Sequence, residues 1–354
     1  MKRLKVNLFV GMVTAMLFAL LLAPAVTQAQ GTWTAVPSPS TNELHAVTSI
    51  SANDVWAVGV GPITEHWNGT AWSVVASPTV ANGKLLGVAA ASTSDVWAVG
   101  FTVIGSPPLI EHWNGTSWRT VKAPKQAGVL NGVTVVSSNN VWAVGDFNNA
   151  SGVRQTLIEQ WNGHKWSVVP SPNVGTQPNE LLGVTAVSAN DIWAVGDVET
   201  VPSANFFQTL TLHWDGTSWS TVSSPSPSNA NLRAVAAVSS SDVWAVGDSG
   251  SGTLIEQWNG SSWSVVTHPT DPSTITNVFN GIAIVSATEI WAVGDFIDDT
   301  TGAFQTLIEL WNGTSWSIVA SPNPAGMQDF FDAASADPSS GQAWAVGSFI
   351  AFNP

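Results

Sequence analysis

The sequence predicts an all-β fold, a seven-bladed β-propeller with four strands in each blade, and three observations support this prediction. A Val-Trp-Ala-Val-Gly motif or a close variant recurs seven times, at intervals of 41 to 53 residues. A second motif, Trp-Asn-Gly-x-x-Trp, recurs six times between copies of the first. Together with Trp33 the two motifs contain all 20 tryptophans of the chain. Repeats of this length, made of short β-rich runs, are typical of propeller blades.

Each repeat is interpreted as four strands, called a to d from the axis outwards. Strand a carries a small residue such as Gly183, which suits the crowded innermost position. Strand b contains the Trp-Ala-Val-Gly segment and is apolar at successive positions, as expected when neighbouring blades cover both faces. Strands c and d, for example residues 157–161 and 166–169, flank an Asn-Gly pair that predicts a type I′ turn.

The strand b tryptophans are interpreted as structural residues that pack between blades. An alternative is that the edges of interblade tryptophans act as stacking platforms for a ligand. The seven strand b tryptophans are Trp56, Trp97, Trp142, Trp193, Trp244, Trp291 and Trp344.

The two ends of the chain predict how the ring closes. Residues 32–36 resemble an isolated strand d, and the chain finishes with strands a and b followed by a stub, residues 350–352, that matches strand c. The N-terminal strand is therefore expected to join the C-terminal blade, which removes two exposed sheet edges.

The first 29 residues have the layout of a signal peptide. Basic residues precede an apolar run from Leu8 to Ala23, which is too short to cross a bilayer as a helix. We expect cleavage after Ala29 or Ala25, secretion by bacterial-type export, and a mature chain that is not embedded in a membrane. Residues 1–29 are thus the signal peptide and residues 30–354 form one propeller domain. An uncleaved membrane anchor is the alternative.

The charge and composition limit the classes of partner. The formal net charge is −14, and three of the ten basic residues lie in the predicted signal peptide. A nucleic acid partner is not expected, because the chain lacks the basic patch that neutralises phosphates. The chain contains no cysteine, so neither disulfides nor thiolate ligands stabilise the fold. We expect a monomer without a cofactor.

Loop lengths predict which rim binds a ligand. The connections from b to c and from d to a vary in length, whereas the a to b and c to d turns hardly vary. Variable loops on a rigid scaffold are where binding sites usually arise. Acidic residues mark this rim, and they are interpreted either as a site for Ca²⁺ or a cationic ligand, or as solvated turn residues. The candidates are Asp146, Asp197, Asp248, Asp295, Asp298 and Asp299.

Two further columns of polar residues follow strand c. One is expected to pack or form hydrogen bonds rather than bind metal, and it contains His66, His112, His213, Gln160 and Gln257. The other is interpreted as carboxyl groups that form hydrogen bonds between sheets, and it contains Glu65, Glu111, Glu159, Glu256 and Glu309. The Gly-Asp-Ser-Gly run at 247–250 copies a serine protease motif, but no His and Asp are visibly placed to form a triad.

The Asn-Gly-Thr-Ser-Trp hairpins resemble a shortened Asp-box hairpin of BNR-type propellers. The whole repeat, over residues 32–354, is similar to secreted bacterial propellers with Trp-Ala-Val-Gly and Trp-Asn-Gly-Thr-Ser-Trp motifs. Residues 254–263 are also similar in layout to blades of propeller lectins. Asp-box propellers include sialidases with a Tyr nucleophile and three Arg, but this chain has no Tyr and, after residue 29, has only Arg119, Arg154 and Arg233.

We therefore expect a non-enzymatic extracellular binding propeller that recognises a glycan or a protein through the b to c and d to a loops. A structural or adhesive cell-surface component is one alternative. The other is a glycan-active hydrolase or lyase that uses loop carboxylates, which needs an acid pair separated by roughly 5 to 9.5 Å.

Overall fold

A computed structural model describes residues 10–14, 32–201, 206–269, 273, 276–323 and 327–351. The regular elements in these ranges are β-strands, numbered here β1 to β28 along the chain. Six blades follow one another, and each is an antiparallel sheet of four consecutive strands with the first strand innermost.

Blades 1 to 3 lie in the first half of the chain. Blade 1 contains β3 (Leu44–Ser51), β4 (Asp54–Gly59), β5 (Thr64–Trp67) and β6 (Trp72–Val75). Blade 2 contains β7 (Lys84–Ser92), β8 (Asp95–Phe101), β9 (Leu109–Trp113) and β10 (Trp118–Thr120). Blade 3 contains β11 (Val129–Ser137), β12 (Asn140–Asn148), β13 (Arg154–Trp161) and β14 (Trp166–Val168).

Blades 4 to 6 repeat the same order of strands. Blade 4 contains β15 (Asn179–Ser188), β16 (Asp191–Val201), β17 (Phe206–Trp214) and β18 (Trp219–Thr221). Blade 5 contains β19 (Asn231–Ser239), β20 (Asp242–Ser249), β21 (Gly252–Trp258) and β22 (Trp263–Val265). Blade 6 contains β23 (Asn277–Ser286), β24 (Glu289–Ile297), β25 (Phe304–Trp311) and β26 (Trp316–Ile318).

The remaining sheet is composite, because both ends of the chain contribute to it. Its order is β27 (Met327–Asp337), β28 (Gln342–Ala351), β1 (Val10–Thr14) and β2 (Thr32–Val36). Strand β27 contacts both β23 and β3, so the composite sheet lies between blades 6 and 1 and the circle of innermost strands is closed.

The prediction of a seven-bladed propeller is wrong, because the structure has six blades of four consecutive strands and the remaining sheet has a different construction. Residues 350 and 351 do not form a strand c but extend β28, where Ile350 pairs with Gln328 and Ala351 with Met327. Because β28 stays paired with β27 as far as Ala351, residues 350 and 351 are the end of this hairpin and not a separate strand. Strand β1 takes the third position instead. It falls in the predicted signal peptide, whose removal stays a prediction, while the expected joining of residues 32–36 to this sheet is confirmed.

Tryptophans carry the packing between neighbouring sheets. The Trp56 ring of blade 1 lies with its centroid 4.9 Å from that of Trp113 and 5.3 Å from that of Trp118, both in blade 2. The second contact is edge-on, at 80° between planes, a geometry worth about 0.5–1.5 kcal/mol beyond the buried area. The same arrangement recurs around the ring, and all seven strand b tryptophans are buried. The structural interpretation of these tryptophans is confirmed.

The glycine of the Trp-Ala-Val-Gly motif lies where strand b crosses a bulge in strand a. A Cβ on Gly100 would lie 1.9 Å from the carbonyl oxygen of Lys84, and the distance is between 1.8 and 2.1 Å at the equivalent glycine of every sheet. No side chain fits at this separation, so the motif requires glycine there.

The Asn-Gly turn differs from the predicted type I′ geometry. Gly163 has a φ of 88°, but Asn162 is outside the positive-φ region. The Asn162 side chain instead accepts hydrogen bonds from the backbone N–H groups of His164 and Lys165, at 3.1 and 3.0 Å. The connection is four residues long, so the side chain of asparagine closes it and a second left-handed residue is not needed.

Candidate functional site

A cavity lies on the rim of the variable loops, at blade 5. It has a volume of about 830 Å³ and is lined by the β20–β21 hairpin, by the segment after β22 and by Asn277 at the start of β23. The hairpin of blade 5 is short, because Trp244 and Trp258 are 14 residues apart, against 21 in blade 4 and 20 in blade 6. A short hairpin between two long ones leaves a gap at the rim.

Polar and apolar groups contribute about equally to the lining of this cavity, and the polar groups are largely bonded to one another. Asp248 accepts a hydrogen bond from Arg233 Nε at 2.8 Å and one from the Asn231 side chain at 3.2 Å. Ser249 Oγ lies 2.9 Å from Ser251 Oγ and 3.2 Å from the carbonyl oxygen of Gly252. The hydroxyl of the Gly-Asp-Ser-Gly run therefore bonds within its own loop, as expected for a loop rather than a nucleophile.

His268 lines the same cavity and reaches towards blade 6. Its Nδ1 lies 3.4 Å from Oε1 of Glu309, and its Nε2 lies 3.3 Å from the carbonyl oxygen of Thr253. A protonated ring would donate to both oxygen atoms. The contact of His268 with Glu309 joins the wall of the cavity to blade 6. Because Nε2 faces a backbone carbonyl and not a serine hydroxyl, His268 is not arranged as the general base of a Ser-His-acid triad.

Two of the predicted aspartates lie in the β24–β25 hairpin beside the cavity. Asp299 accepts a hydrogen bond from Ser273 at 2.7 Å, and Ser273 lines the cavity. Asp298 instead closes its own loop, because its Oδ1 accepts from the backbone N–H groups of Thr300 and Thr301. These bonds, led by those of Thr301, lower the pKa of Asp298.

Three further predicted aspartates, Asp146, Asp197 and Asp295, directly follow the Trp-Ala-Val-Gly segment of strand b in blades 3, 4 and 6. Burial, with a smaller contribution from Glu180, raises the pKa of Asp146 and of Asp197 to about 7. Burial, with a contribution from Asp332, likewise raises the pKa of Asp295 to about 7. The charge of Asp248 also raises the pKa of Asp197 and of Asp295, so aspartates of different blades are close enough to interact. They form a carboxyl-rich inner part of the rim.

The described residues contain no group of three or more His, Asp or Glu side chains arranged to hold a metal ion. Binding of Ca²⁺ therefore stays a question for titration. Within the same ranges, no helix has the length and apolar character that a membrane span requires.

The strand c glutamates are fully buried between sheets, and their surroundings differ. Glu65 accepts a hydrogen bond from Ser38 of the segment after β2, at 2.7 Å, as the sequence predicted. Glu111, Glu159 and Glu256 have no hydrogen-bond partner among the described residues, and burial raises the pKa of each to about 8. For these three the expected hydrogen bond is wrong.

The histidine column on strand c forms the hydrogen bonds that the sequence predicted. His66 Nε2 lies 2.8 Å from Asp54 Oδ1, and Gln160 donates to Asn140 at 3.0 Å in the equivalent place. The imidazole of His112 also stacks on Trp97, with ring centroids 4.2 Å apart. These side chains join strands b and c and lie on the rim opposite the cavity.

Comparison with known proteins shows the fold. No family model matches the sequence, and a search of curated proteins gives no match. A solved structure of YCF48 bound to D1 peptide is similar at 15% identity, with a TM-score of 0.56 over 88% of this chain and 93% of that chain. YCF48 from Cyanidioschyzon merolae is 16% identical, with a TM-score of 0.57 over 88% and 95%. The WD40 propeller domain of Doa1 is 14% identical, with a TM-score of 0.57 over 88% and 94%.

At these identities the similarity is one of fold alone. The chain is therefore a β-propeller repeat protein, with the fold that WD40 and YCF48 propellers have.

The six predicted aspartates do not converge on one point. Asp248 lines the cavity and Asp299 supports its wall, whereas Asp146 borders a separate cavity of about 110 Å³ between blades 2 and 3. Sequence reasoning missed His268, which occupies a position that is serine in most other repeats, as at Ser224. That departure from the repeat, together with the short hairpin, is the signal that could have located the cavity.

Proposed function

We propose that this protein is a binding propeller that takes a polypeptide segment into the cavity at blade 5. The observation that supports the proposal is a cavity of about 830 Å³ on the variable rim, lined by hydroxyl, backbone and carboxylate groups. Its volume lies in the range of ligand sites, and its mixture of polar and apolar groups suits a ligand that carries both hydrogen-bonding groups and apolar side chains.

The cavity favours a polypeptide over a glycan. The sequence suggested the edges of interblade tryptophans as stacking platforms for a ligand, but no tryptophan is among the described residues that line the cavity. The tryptophans of strands b and d are buried between sheets. The loop around Gly250 and Gly252 instead offers backbone close to the surface, which can form hydrogen bonds with an extended chain. A structural neighbour is a YCF48 bound to D1 peptide, which agrees with this choice.

We assign no reaction to the cavity, and we place its ligand outside the cell, as the signal peptide layout suggests. In the lining, the Ser249 hydroxyl has Ser251 as a structural partner, and the His268 imidazole has the Thr253 carbonyl.

The test is selection of binders from a phage-displayed library of random short peptides, followed by affinity measurements on variants. Ser251→Trp fills the cavity from an exposed loop position, and Ser151→Trp places the same side chain in the equivalent loop of blade 3. We expect Ser251→Trp to weaken the selected peptides by about tenfold or more and Ser151→Trp to leave them unchanged. Equal affinity for Ser251→Trp and the parent protein contradicts the proposal, and so does binding to a glycan array without any peptide binding.

A further inference from the structure

Asn277 places a buried hydrogen-bond acceptor without a partner in the wall of the cavity at blade 5. The residue lines the cavity and is 7% exposed. Its Nδ2 donates to the carbonyl oxygen of Ser273, another lining residue, at 2.7 Å, which fixes the orientation of the side-chain amide. Its Oδ1 is buried and has no hydrogen-bond partner among the described residues. A buried acceptor left unpaired is costly, so this one indicates a donor that the chain itself does not provide.

The equivalent asparagine of blade 4 shows which partner this position takes. Asn179 begins β15 as Asn277 begins β23, and each lies two residues before the residue that pairs with the glycine of Trp-Ala-Val-Gly. Asn179 Oδ1 accepts a hydrogen bond from the backbone N–H of Val174 at 2.8 Å, and Nδ2 donates to the carbonyl oxygen of the same residue at 3.2 Å. Nδ2 also donates to the carbonyl oxygen of Gln177 at 2.7 Å. The side-chain amide therefore holds both backbone groups of one residue.

The sequence explains why Asn277 lacks the donor that Asn179 has. Val174 lies five residues before Asn179, and the residue five before Asn277 is Pro272. Proline has no backbone N–H and cannot make the bond that Val174 makes. Among the described residues, Asn277 bonds through its side chain to Ser273 alone. Its Oδ1 and the second hydrogen of its Nδ2 are thus left for a partner outside the chain.

We infer that Asn277 receives the main chain of the polypeptide bound in the cavity at blade 5, an assignment that rests on the proposed function. One residue of the ligand donates its backbone N–H to Oδ1 and accepts a hydrogen bond from Nδ2 through its carbonyl oxygen, as Val174 does at Asn179. Main-chain hydrogen bonds give affinity for an extended peptide without selecting its side chains. The ligand residue at this position cannot be proline, because proline has no N–H.

Two small probes that differ by one methyl group test the inference. N-acetyl-valine methylamide has the N–H and carbonyl groups that Val174 offers to Asn179, and N-acetyl-N-methylvaline methylamide lacks the valine N–H. Each is titrated into the isotope-labelled protein, and the side-chain amide signal of Asn277 is followed by NMR. We expect the first probe to shift this signal and to bind about tenfold more tightly than the second, which cannot satisfy the buried acceptor. This comparison uses the parent protein, so it does not depend on the folding of a variant.

Two matched variants locate the effect. Asn277→Leu should abolish the preference between the two probes, and Asn179→Leu, the same change in blade 4, should keep it. Melting temperatures provide a second readout. We expect Asn179→Leu to lower the Tm more, because it breaks bonds to Val174 and Gln177, whereas Asn277→Leu breaks the bond to Ser273 and removes an unpaired acceptor. An equal or larger loss in Asn277→Leu would mean that the chain itself satisfies Asn277, and would overturn the inference.

The outcomes distinguish this inference from the proposed function. Equal binding of the two probes to the parent protein, or an unchanged preference in Asn277→Leu, overturns the role of Asn277, and the cavity remains the peptide site if Ser251→Trp still blocks the selected peptides. Peptides indifferent to Ser251→Trp contradict the proposed function, and a probe preference that depends on Asn277 would still support main-chain binding at this residue.

Discussion

Trp33 lies edge-on to Trp291, with ring centroids 5.1 Å apart and planes at 82°. Trp33 belongs to β2 near the start of the chain and Trp291 to blade 6, so this contact joins the ends of the propeller. It has the same geometry as the contact of Trp344 with Trp72, at 5.3 Å and 87°. Strand β2 therefore takes the place of a strand d although a separate part of the chain supplies it.

Trp33→Ala should destabilise the protein strongly, because it empties a buried site between two sheets. We expect a loss of about 3–5 kcal/mol in the free energy of unfolding, measured by denaturant titration. Val74→Ala, on the exposed face of the outermost strand of blade 1, is the control and should have little effect. A Trp33→Ala variant as stable as the parent would mean that β2 does not pack on blade 6.

The chain beginning at Gln30, which predicted cleavage after Ala29 would produce, should still fold. Strand β1 is lost from it, but the described apolar contacts between the composite sheet and blade 6 run through Trp33 and Phe331. We expect a β-rich circular dichroism spectrum and a cooperative melting transition. N-terminal sequencing of the exported product checks the cleavage itself. A protein that folds only with residues 10–14 present would contradict the signal peptide interpretation.

The glycines of strands a and b should respond differently to the same substitution. Gly100→Ala forces a methyl group against the Lys84 carbonyl, and we expect it to prevent folding or to destabilise by several kcal/mol, on the order of the largest single-substitution effects. Gly87→Ala in the same blade meets its nearest atom at 3.1 Å, and the equivalent residues Ala46 and Ala234 are already alanine. It should cost about 1 kcal/mol or less. Equal melting temperatures for the two variants would contradict the bulge explanation.

The protein should be more stable at about pH 5.5 than at about pH 8.5, two values that lie roughly on either side of the pH at which the buried glutamates of the folded chain titrate. The folded-state pKa of Glu111, Glu159 and Glu256 is about 8, above the ordinary value of 4.5. Between these values the folded chain binds more protons than the unfolded chain, so stability falls as pH rises.

Replacing these three glutamates with glutamine should reduce that pH dependence. We expect the triple variant to be more stable than the parent at the higher pH, by on the order of 1 kcal/mol or more per site. Glu43→Gln, at an exposed position, is the matched control and should keep the parent's dependence. Melting temperatures over the pH range provide the measurement, and an unchanged slope in the triple variant would show that these carboxyls do not titrate as described.

The repeat could be predicted from the sequence because it depends on local rules that recur. Trp-Ala-Val-Gly needs tryptophan to fill the space between sheets and glycine to cross the bulge, so the motif marks strand b wherever it occurs. The hydrogen bond of His66 to Asp54 could be anticipated in the same way, because Gln160 and Asn140 occupy the equivalent places. The variable rim followed from loop lengths alone.

Tertiary structure decided what the repeat cannot encode. Residues 350 and 351 extend β28 because they pair with β27, a choice that depends on the length of a distant partner strand. The cavity exists because a short hairpin stands between two long ones, and His268 reaches Glu309 across a blade boundary. The sequence alone determined the β-propeller architecture and the rim on which the loops vary in length, through local periodicity. Contacts between blades determined where space and charge occur on that rim, because these contacts join residues far apart in the chain.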